Sequence, residues 1–210
     1  MIILLIVFTF IGISGSGLAS NYLTNINFVQ YEAPILYKNS FSDSLDSNVW
    51  EKGDIADWTI VDGKLYTNGK NRGRLDFLKQ QFNDFKIQFD ISISGPKWSG
   101  VQLRKKNPQD KWDSGYFIII FSDGTIRVLR RTPDGLEKIE VASTGINFSN
   151  SRRVRIKIKN YNIKVLVEGK EVINVTDDKS SFSSGYFSLW NMEDNVVKFD
   201  DLVVLDLQSQ

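Results

Sequence analysis

The sequence predicts an all-β chain folded as a two-sheet antiparallel sandwich or a barrel, and three features of its 210 residues carry that prediction. Apolar and polar residues alternate with period two in run after run, the mark of strands that bury one face. Asp-Gly, Asn-Gly and Glu-Gly pairs separate the runs and supply the positive-φ positions that hairpins need. No long stretch repeats apolar residues at i, i+3, i+4 and i+7, so helices are expected to be short and few.

Along the chain, Met1 to Leu18 carry no charge, and Ile2 to Ile13 are apolar but for Thr9 and Gly12. That run is shorter than the ~20 residues a membrane span requires and fits the apolar core of a signal peptide, with small residues at Gly15–Ser20 for cleavage. No Lys or Arg precedes it, so an uncleaved anchor stays open as the alternative for residues 1–20. Residues 21–37 read as a linker or a first edge strand, and residues 38–208 as one domain. Phe85–Ile93 alternates apolar and polar for nine residues. Val154, Ile156 and Ile158 alternate with Arg and Lys, and Ile163, Val165 and Val167 do the same immediately afterward. Tyr116–Phe121 is apolar on both faces and belongs in the middle of a sheet. Further strands are expected at Lys64–Thr67, Val101–Arg104, Thr125–Arg130, Tyr186–Trp190 and Val197–Leu207.

Composition narrows function by exclusion. The chain has no cysteine and no histidine. Disulfide frameworks, thiolate zinc sites, cysteine nucleophiles, Ser-His-Asp triads and imidazole switches are therefore ruled out. Acid–base chemistry would fall to carboxylates, lysine or tyrosine. With 26 basic and 25 acidic side chains the net charge is +1, which argues against bulk attraction to nucleic acid. The basic row Arg152, Arg153, Arg155, Lys157, Lys159 and Lys164 reads as the solvated face of a sheet. Asn147-Phe148-Ser149 and Asn174-Val175-Thr176 match the glycosylation sequon, which matters only in a host that glycosylates its exported proteins.

The order of the pieces resembles a known superfamily. Phe41-Ser42-Asp43-Ser44-Leu45, Trp50 and Trp58–Leu65 open the chain, and Phe82–Phe85 lead into a long strand. Gly100–Arg104, Gly115–Ile118 with Asp123-Gly124, and Arg153–Ile156 with Val165–Gly169 follow in order. Ser184–Leu189 and Lys198–Val204 close it. This arrangement resembles the concanavalin A-like lectin/glucanase jelly rolls, in the branch of fructan-binding modules, keto-disaccharide hydrolase-like domains and laminin G-like domains. The resemblance implies a jelly roll of two curved antiparallel sheets, with ligands on the concave face or its rim, and core positions for Trp50 and Trp58. It does not by itself imply an activity. The glucanase signature Glu-x-Asp-x-x-Glu is missing, and Tyr116–Phe121, at the corresponding level, offers no carboxylate.

Sugars are bound by aromatic faces set beside planar polar groups. On that ground the candidate ligand-binding residues are Arg104, Tyr116, Trp98, Trp112, Trp190 and Gln102. Trp98 and Trp112 lie in polar, loop-like contexts, where the alternative is that each caps the sandwich. Trp190 alternates with Phe187 and Leu189, and Gln102 and Arg104 alternate with Val101 and Leu103, which turns all three away from the core. The alternative for Arg104 is an ion pair with Asp90 or another acidic neighbour. Asp43 with Asp200 or Asp201 is implied by the resemblance as a structural Ca²⁺ site, supplying part of a shell of six to eight oxygens. The expected molecule is an exported, monomeric, non-catalytic carbohydrate-binding module of the cell exterior, with a poly- or oligosaccharide as partner. Nucleic acid is not expected, and a membrane enters only if the N-terminal segment is retained. A glycoside-active enzyme and a laminin G-like adhesion domain are the alternatives.

Overall fold

The computed structural model describes residues 33–207, apart from 54–56, 109–113 and 180. Among the described residues there are fifteen strands and no helix. They are β1 (Ile35–Asn39), β2 (Trp50–Gly53), β3 (Thr59–Val61), β4 (Lys64–Thr67), β5 (Gly73–Phe77), β6 (Phe85–Ser94), β7 (Trp98–Lys105) and β8 (Gly115–Phe121). β9 (Thr125–Thr132), β10 (Gly135–Ser143), β11 (Arg152–Lys159), β12 (Asn162–Val167), β13 (Lys170–Thr176), β14 (Tyr186–Asn191) and β15 (Val196–Asp206) complete the set. All pair antiparallel. One sheet of eight runs β13-β12-β11-β6-β15-β4-β3, with β1 also on β15; the other, of seven, runs β10-β9-β8-β7-β14-β5-β2. This is a two-layer sandwich, one of the two architectures that the period-two runs allow, and the jelly roll that the resemblance implies.

The alternation sets the layers. On β6, Phe85, Ile87, Phe89, Ile91 and Ile93 are buried in the core, while Lys86, Gln88, Asp90 and Ser92 are half-buried on the other face. Val154, Ile156 and Ile158 of β11 meet Phe89, Ile87 and Phe85 in register. β8 is buried on both faces: Tyr116, Ile118 and Ile120 join the core, whereas Phe117 and Ile119 belong to a separate cluster with Trp190. Trp50 and Trp58 are core residues, as the resemblance implies. Phe77 stacks on Phe187 with ring centroids 4.7 Å apart, and Trp50 packs edge-on to both. Burial of each such ring contributes about 1.5–3 kcal/mol. The Arg and Lys of β11 lie on the outer face of the eight-stranded sheet. There Arg153 donates to Asp90 from Nε and Nη2 at 2.8 and 2.9 Å, and Arg155 bonds Gln88 at 2.7 Å. At one end of the seven-stranded sheet, β10 leaves Leu136 and Val141 exposed among Glu137, Lys138 and Glu140.

One bulge corrects the reading of Arg104. Tyr186 pairs with Lys105 but Ser188 with Gln102, so β7 holds one residue more than β14 across this stretch. Arg104 takes a positive φ of 52°. Its side chain leaves the outer face and crosses to the ends of the other sheet. There the guanidinium donates to the Asn83 carbonyl at 3.1 and 2.7 Å, the Phe182 carbonyl at 2.7 Å, the Asn160 carbonyl, and Asp84 Oδ1 at 3.0 Å. Period-two counting fails here because a bulge shifts the count by one. Gly185 makes room: a Cβ there would stand 2.4 Å from the Arg104 carbonyl carbon, and its φ is 156°. Arg104 is a tie between the sheets, not a groove residue.

Tyr116 is corrected in the same way. Its ring lies in the core against Phe182, and its hydroxyl donates to Asp177 Oδ2 at 2.7 Å. Asp177 also accepts from Arg130 and from the Ser181 and Lys179 amides, and Arg130 reaches on to Glu137 at 2.5 Å. Burial, then the bond to Asp177, pushes the Tyr116 hydroxyl well above the ordinary tyrosine range. Burial alone would raise the Asp177 carboxyl, but the hydrogen bonds it accepts and the Arg130 charge outweigh that and hold it below the usual range.

Two outcomes follow for stability. Arg104→Ala is expected to cost about 3–5 kcal/mol in urea unfolding, since three carbonyls and Asp84 lose their donor. Arg104→Lys should recover little, because one ammonium cannot span acceptors on separate segments. A loss under about 1 kcal/mol, the worth of an ordinary hydrogen bond, would contradict the tie. For pH, the stability from Asp177 is present above the unfolded carboxylate value of about 4 and is lost as pH falls through the lower folded value. That from Tyr116 is present below about pH 10 and is lost as pH rises toward the folded value. The melting temperature should therefore fall on both flanks, and Tyr116→Phe should flatten the alkaline flank, weaken the acid flank by removing one of the bonds that hold Asp177 down, and lower the plateau by about 1.5–3 kcal/mol.

Candidate functional site

The side of the seven-stranded sheet turned away from the core gathers the residues with chemistry to offer. β7 contributes Trp98 and Gln102, and after the bulge Lys105. β8 contributes Phe117, Ile119 and Phe121; β14, Ser188 and Trp190; β5, Arg74 and Asp76; and β2, Glu51. In each strand the intervening residues, such as Val101, Leu103, Leu75, Phe77, Phe187 and Leu189, are in the core.

One half of this face is aromatic. The Trp190 ring lies 5.5 Å from Phe117 and 6.4 Å from Trp98, and Trp98 meets Phe117 edge-on at 6.3 Å. Trp98 sits at the start of β7, where Asn195 fixes the turn: its amide donates to the Trp98 carbonyl at 3.1 Å and its Oδ1 accepts from the Lys97 amide at 2.9 Å. Ser99 Oγ bonds the Trp190 carbonyl at 2.6 Å, locking β7 to β14. Trp190, Phe117 and Ile119 are buried, whereas Trp98, Phe121 and Leu129 are half-buried. The Arg127 guanidinium stands 4.8 Å over the Phe121 ring and is exposed. Such an edge offers flat π-faces beside a cation.

The other half is charged. Asp76, wholly buried, accepts from Arg74 Nε at 2.5 Å, Lys105 Nζ at 3.0 Å and Ser188 Oγ at 2.6 Å. Gly53 leaves the space that Arg74 fills, since a Cβ there would fall 2.6 Å from Arg74 Nε. Glu51 is the direct cross-strand partner of Asp76. A buried carboxylate held by two cations holds its neighbours to one geometry, because removing any partner leaves charge uncompensated.

The residues expected from sequence divide. Trp98, Trp190 and Gln102 share this face, with Gln102 buried opposite Phe117 and Ser188. Arg104 and Tyr116 do not, and Trp112 lies outside the described residues. Arg74, Asp76, Lys105 and Ser188 were not anticipated. The signal was present in Gly73-Arg74-Leu75-Asp76-Phe77, where charged and apolar residues alternate. The aspartates expected at a Ca²⁺ site each have a neighbour. Asp200 pairs with Lys64 at 3.1 Å, Asp201 with Arg153 at 3.3 Å, and Asp43 accepts from the Ser42 hydroxyl. Among the described residues no three carboxylates come together as a metal site.

Comparison with known proteins agrees with this fold. The carbohydrate-binding module CBM66 from Bacillus subtilis superposes with a TM-score of 0.65 at 16% identity, over 75% of this chain and 95% of that one. A Bacillus subtilis protein of unknown function with a galectin-like fold gives 0.69 at 12% identity, over 83% and 97%. The catalytic domain of an endo-1,3-beta-glucanase (laminarinase) from Thermotoga petrophila gives 0.64 at 12% identity, over 83% and 98%. These likenesses establish the jelly-roll fold. No curated protein matches the sequence. Residues 37–205 match the family described as the 3-keto-alpha-glucoside-1,2-lyase-like domain, and with that span covering most of the molecule, the chain belongs to this carbohydrate-associated family.

Proposed function

We propose that the chain is an exported, non-catalytic saccharide-binding module that takes its ligand on the outer face of the seven-stranded sheet. The observation that carries this reading is the meeting of two halves on one face: the Trp98–Phe117–Trp190 cluster with its Arg127–Phe121 edge, and the Asp76 group beside it. Aromatic faces cover the C–H side of a sugar ring while fixed polar groups order its hydroxyls. The half-buried Trp98 is the ring placed to meet the ligand first, with Gln102 and Trp190 behind it. Asp76 supports this role better than hydrolysis, because its oxygens are engaged by Arg74, Lys105 and Ser188. Export rests on the uncharged apolar run Ile2–Ile13.

Cleavage of a glycosidic bond is the second reading, and one observation favours it. Glu51 and Asp76 face each other in register, which brings their Cβ atoms within about 4.5–5.5 Å. Retaining hydrolysis works with carboxyl groups about 5 Å apart.

Screening on a glycan array, followed by titration, tests the first reading. Trp98→Ala should weaken binding of the best array hit at least about tenfold at a temperature where the variant, somewhat less stable for its lost packing on Trp190 and Phe117, is still folded. Unchanged affinity sinks the assignment. Reducing-sugar release from the same hit, abolished by Glu51→Gln, would replace binding with catalysis.

A further inference from the structure

Arg127 differs from the other cations of the two sheet faces in what surrounds it. On the eight-stranded sheet Arg153 meets Asp90 and Lys64 meets Asp200; on the charged half of the seven-stranded sheet Arg74 and Lys105 meet Asp76. Arg127 is exposed, and among the described residues no carboxylate forms an ion pair with it. Its cross-strand neighbours are Ile119 and Val141, and Phe121 lies beneath its guanidinium at 4.8 Å. Asp123, near enough to feel its charge, is already held by the Thr125 amide at 2.8 Å. The outward positions of β8 and β9 hold two guanidiniums, Arg127 and Arg131, and no carboxylate.

A guanidinium set among apolar and aromatic side chains keeps its N–H fork for an acceptor that comes from outside. It is more weakly hydrated than an ammonium, and its planar donors match an oxyanion with two oxygens to offer. The place of Arg127 relative to the aromatic cluster gives this donor a use. Trp98 and Phe121 are direct cross-strand partners, which brings their Cβ atoms within about 4.5–5.5 Å. The half-buried Trp98 and the Arg127 guanidinium therefore both adjoin the Phe121 side chain. A sugar ring stacked on Trp98 has its substituents within reach of that cation. In the charged half, by contrast, Asp76 already takes up Arg74 and Lys105, so the cation left for a ligand is on the aromatic side.

We propose that the saccharide taken by this face is acidic, and that Arg127 receives its carboxylate or sulfate beside the ring stacked on Trp98. The inference rests on the saccharide-binding reading of the face and adds to it the charge of the ligand.

A glycan array tests this when uronic-acid and sulfated oligosaccharides are each printed beside their carboxyl-reduced or desulfated forms, with the hits then titrated into the full chain. The parent should prefer the acidic member of a pair at least about tenfold, and less so as salt rises. The pair that shows the preference tells carboxylate from sulfate. Arg127→Ala changes an exposed residue and should weaken the acidic member about ten- to hundredfold, the effect of one lost hydrogen bond to a charged group, until both members bind alike. Arg127→Lys should keep part of the preference, since it retains the charge without the fork. A parent that treats the pairs alike or favours the neutral members overturns the acidic ligand, and so does an Arg127→Ala variant with the parent's preference. If Trp98→Ala leaves binding of the acidic hit intact, the reading of the outer face is overturned instead. A parent that binds nothing on the array overturns both.

Discussion

The arrangement of the molecule turns on one guanidinium that must find acceptors away from water. Arg104 is enclosed at the end of β7, and four separate oxygens receive its protons. Meeting that demand requires β7 to gain a residue, to accept a positive φ, and to pass close beside Gly185. The shift hands the next outward position to Lys105, which is why a lysine, and not an arginine, closes on Asp76. A contact made for cohesion thus decides which cation stands beside Asp76 on the outer face. Because three of the four acceptors are main-chain carbonyls, the tie depends on backbone position more than on neighbouring side chains. That is consistent with a fold shared with structures at 12–16% identity.

Most of the architecture was legible in the sequence because burial on one face writes itself as alternation. β6, β11 and β12 show it residue by residue, and the two-faced burial of β8 follows from Tyr116–Phe121 being apolar throughout. The site was legible only in part. Trp98, Trp190 and Gln102 fall where alternation puts them. Arg104 does not, since a bulge leaves no mark in polarity, and Tyr116 does not, since a hydroxyl can satisfy itself inside the core through Asp177. The Asp76 group escaped because its members come from β5, β7 and β14, strands distant in sequence that only the topology brings together.

The two halves of the outer face have unequal freedom. The Asp76 group is a closed electrostatic unit whose members constrain one another. The aromatic half grades from the buried Trp190 to the half-buried Trp98 and the exposed Arg127. Rigidity behind and access in front is the arrangement that limits the entropy lost when a flexible ligand is held.

At the far end of the same sheet, β10 leaves nine residues of backbone at a border, with Leu136 and Val141 bare to solvent. Such a rim is a template on which another copy could add its own strand. Glu137, Lys138 and Glu140 guard it, but Glu137 is already committed to Arg130 and Lys179. Along this rim, solubility at high concentration therefore leans on Lys138 and Glu140, and heavy salt, by screening them, would favour ribbons of stacked molecules over separate ones.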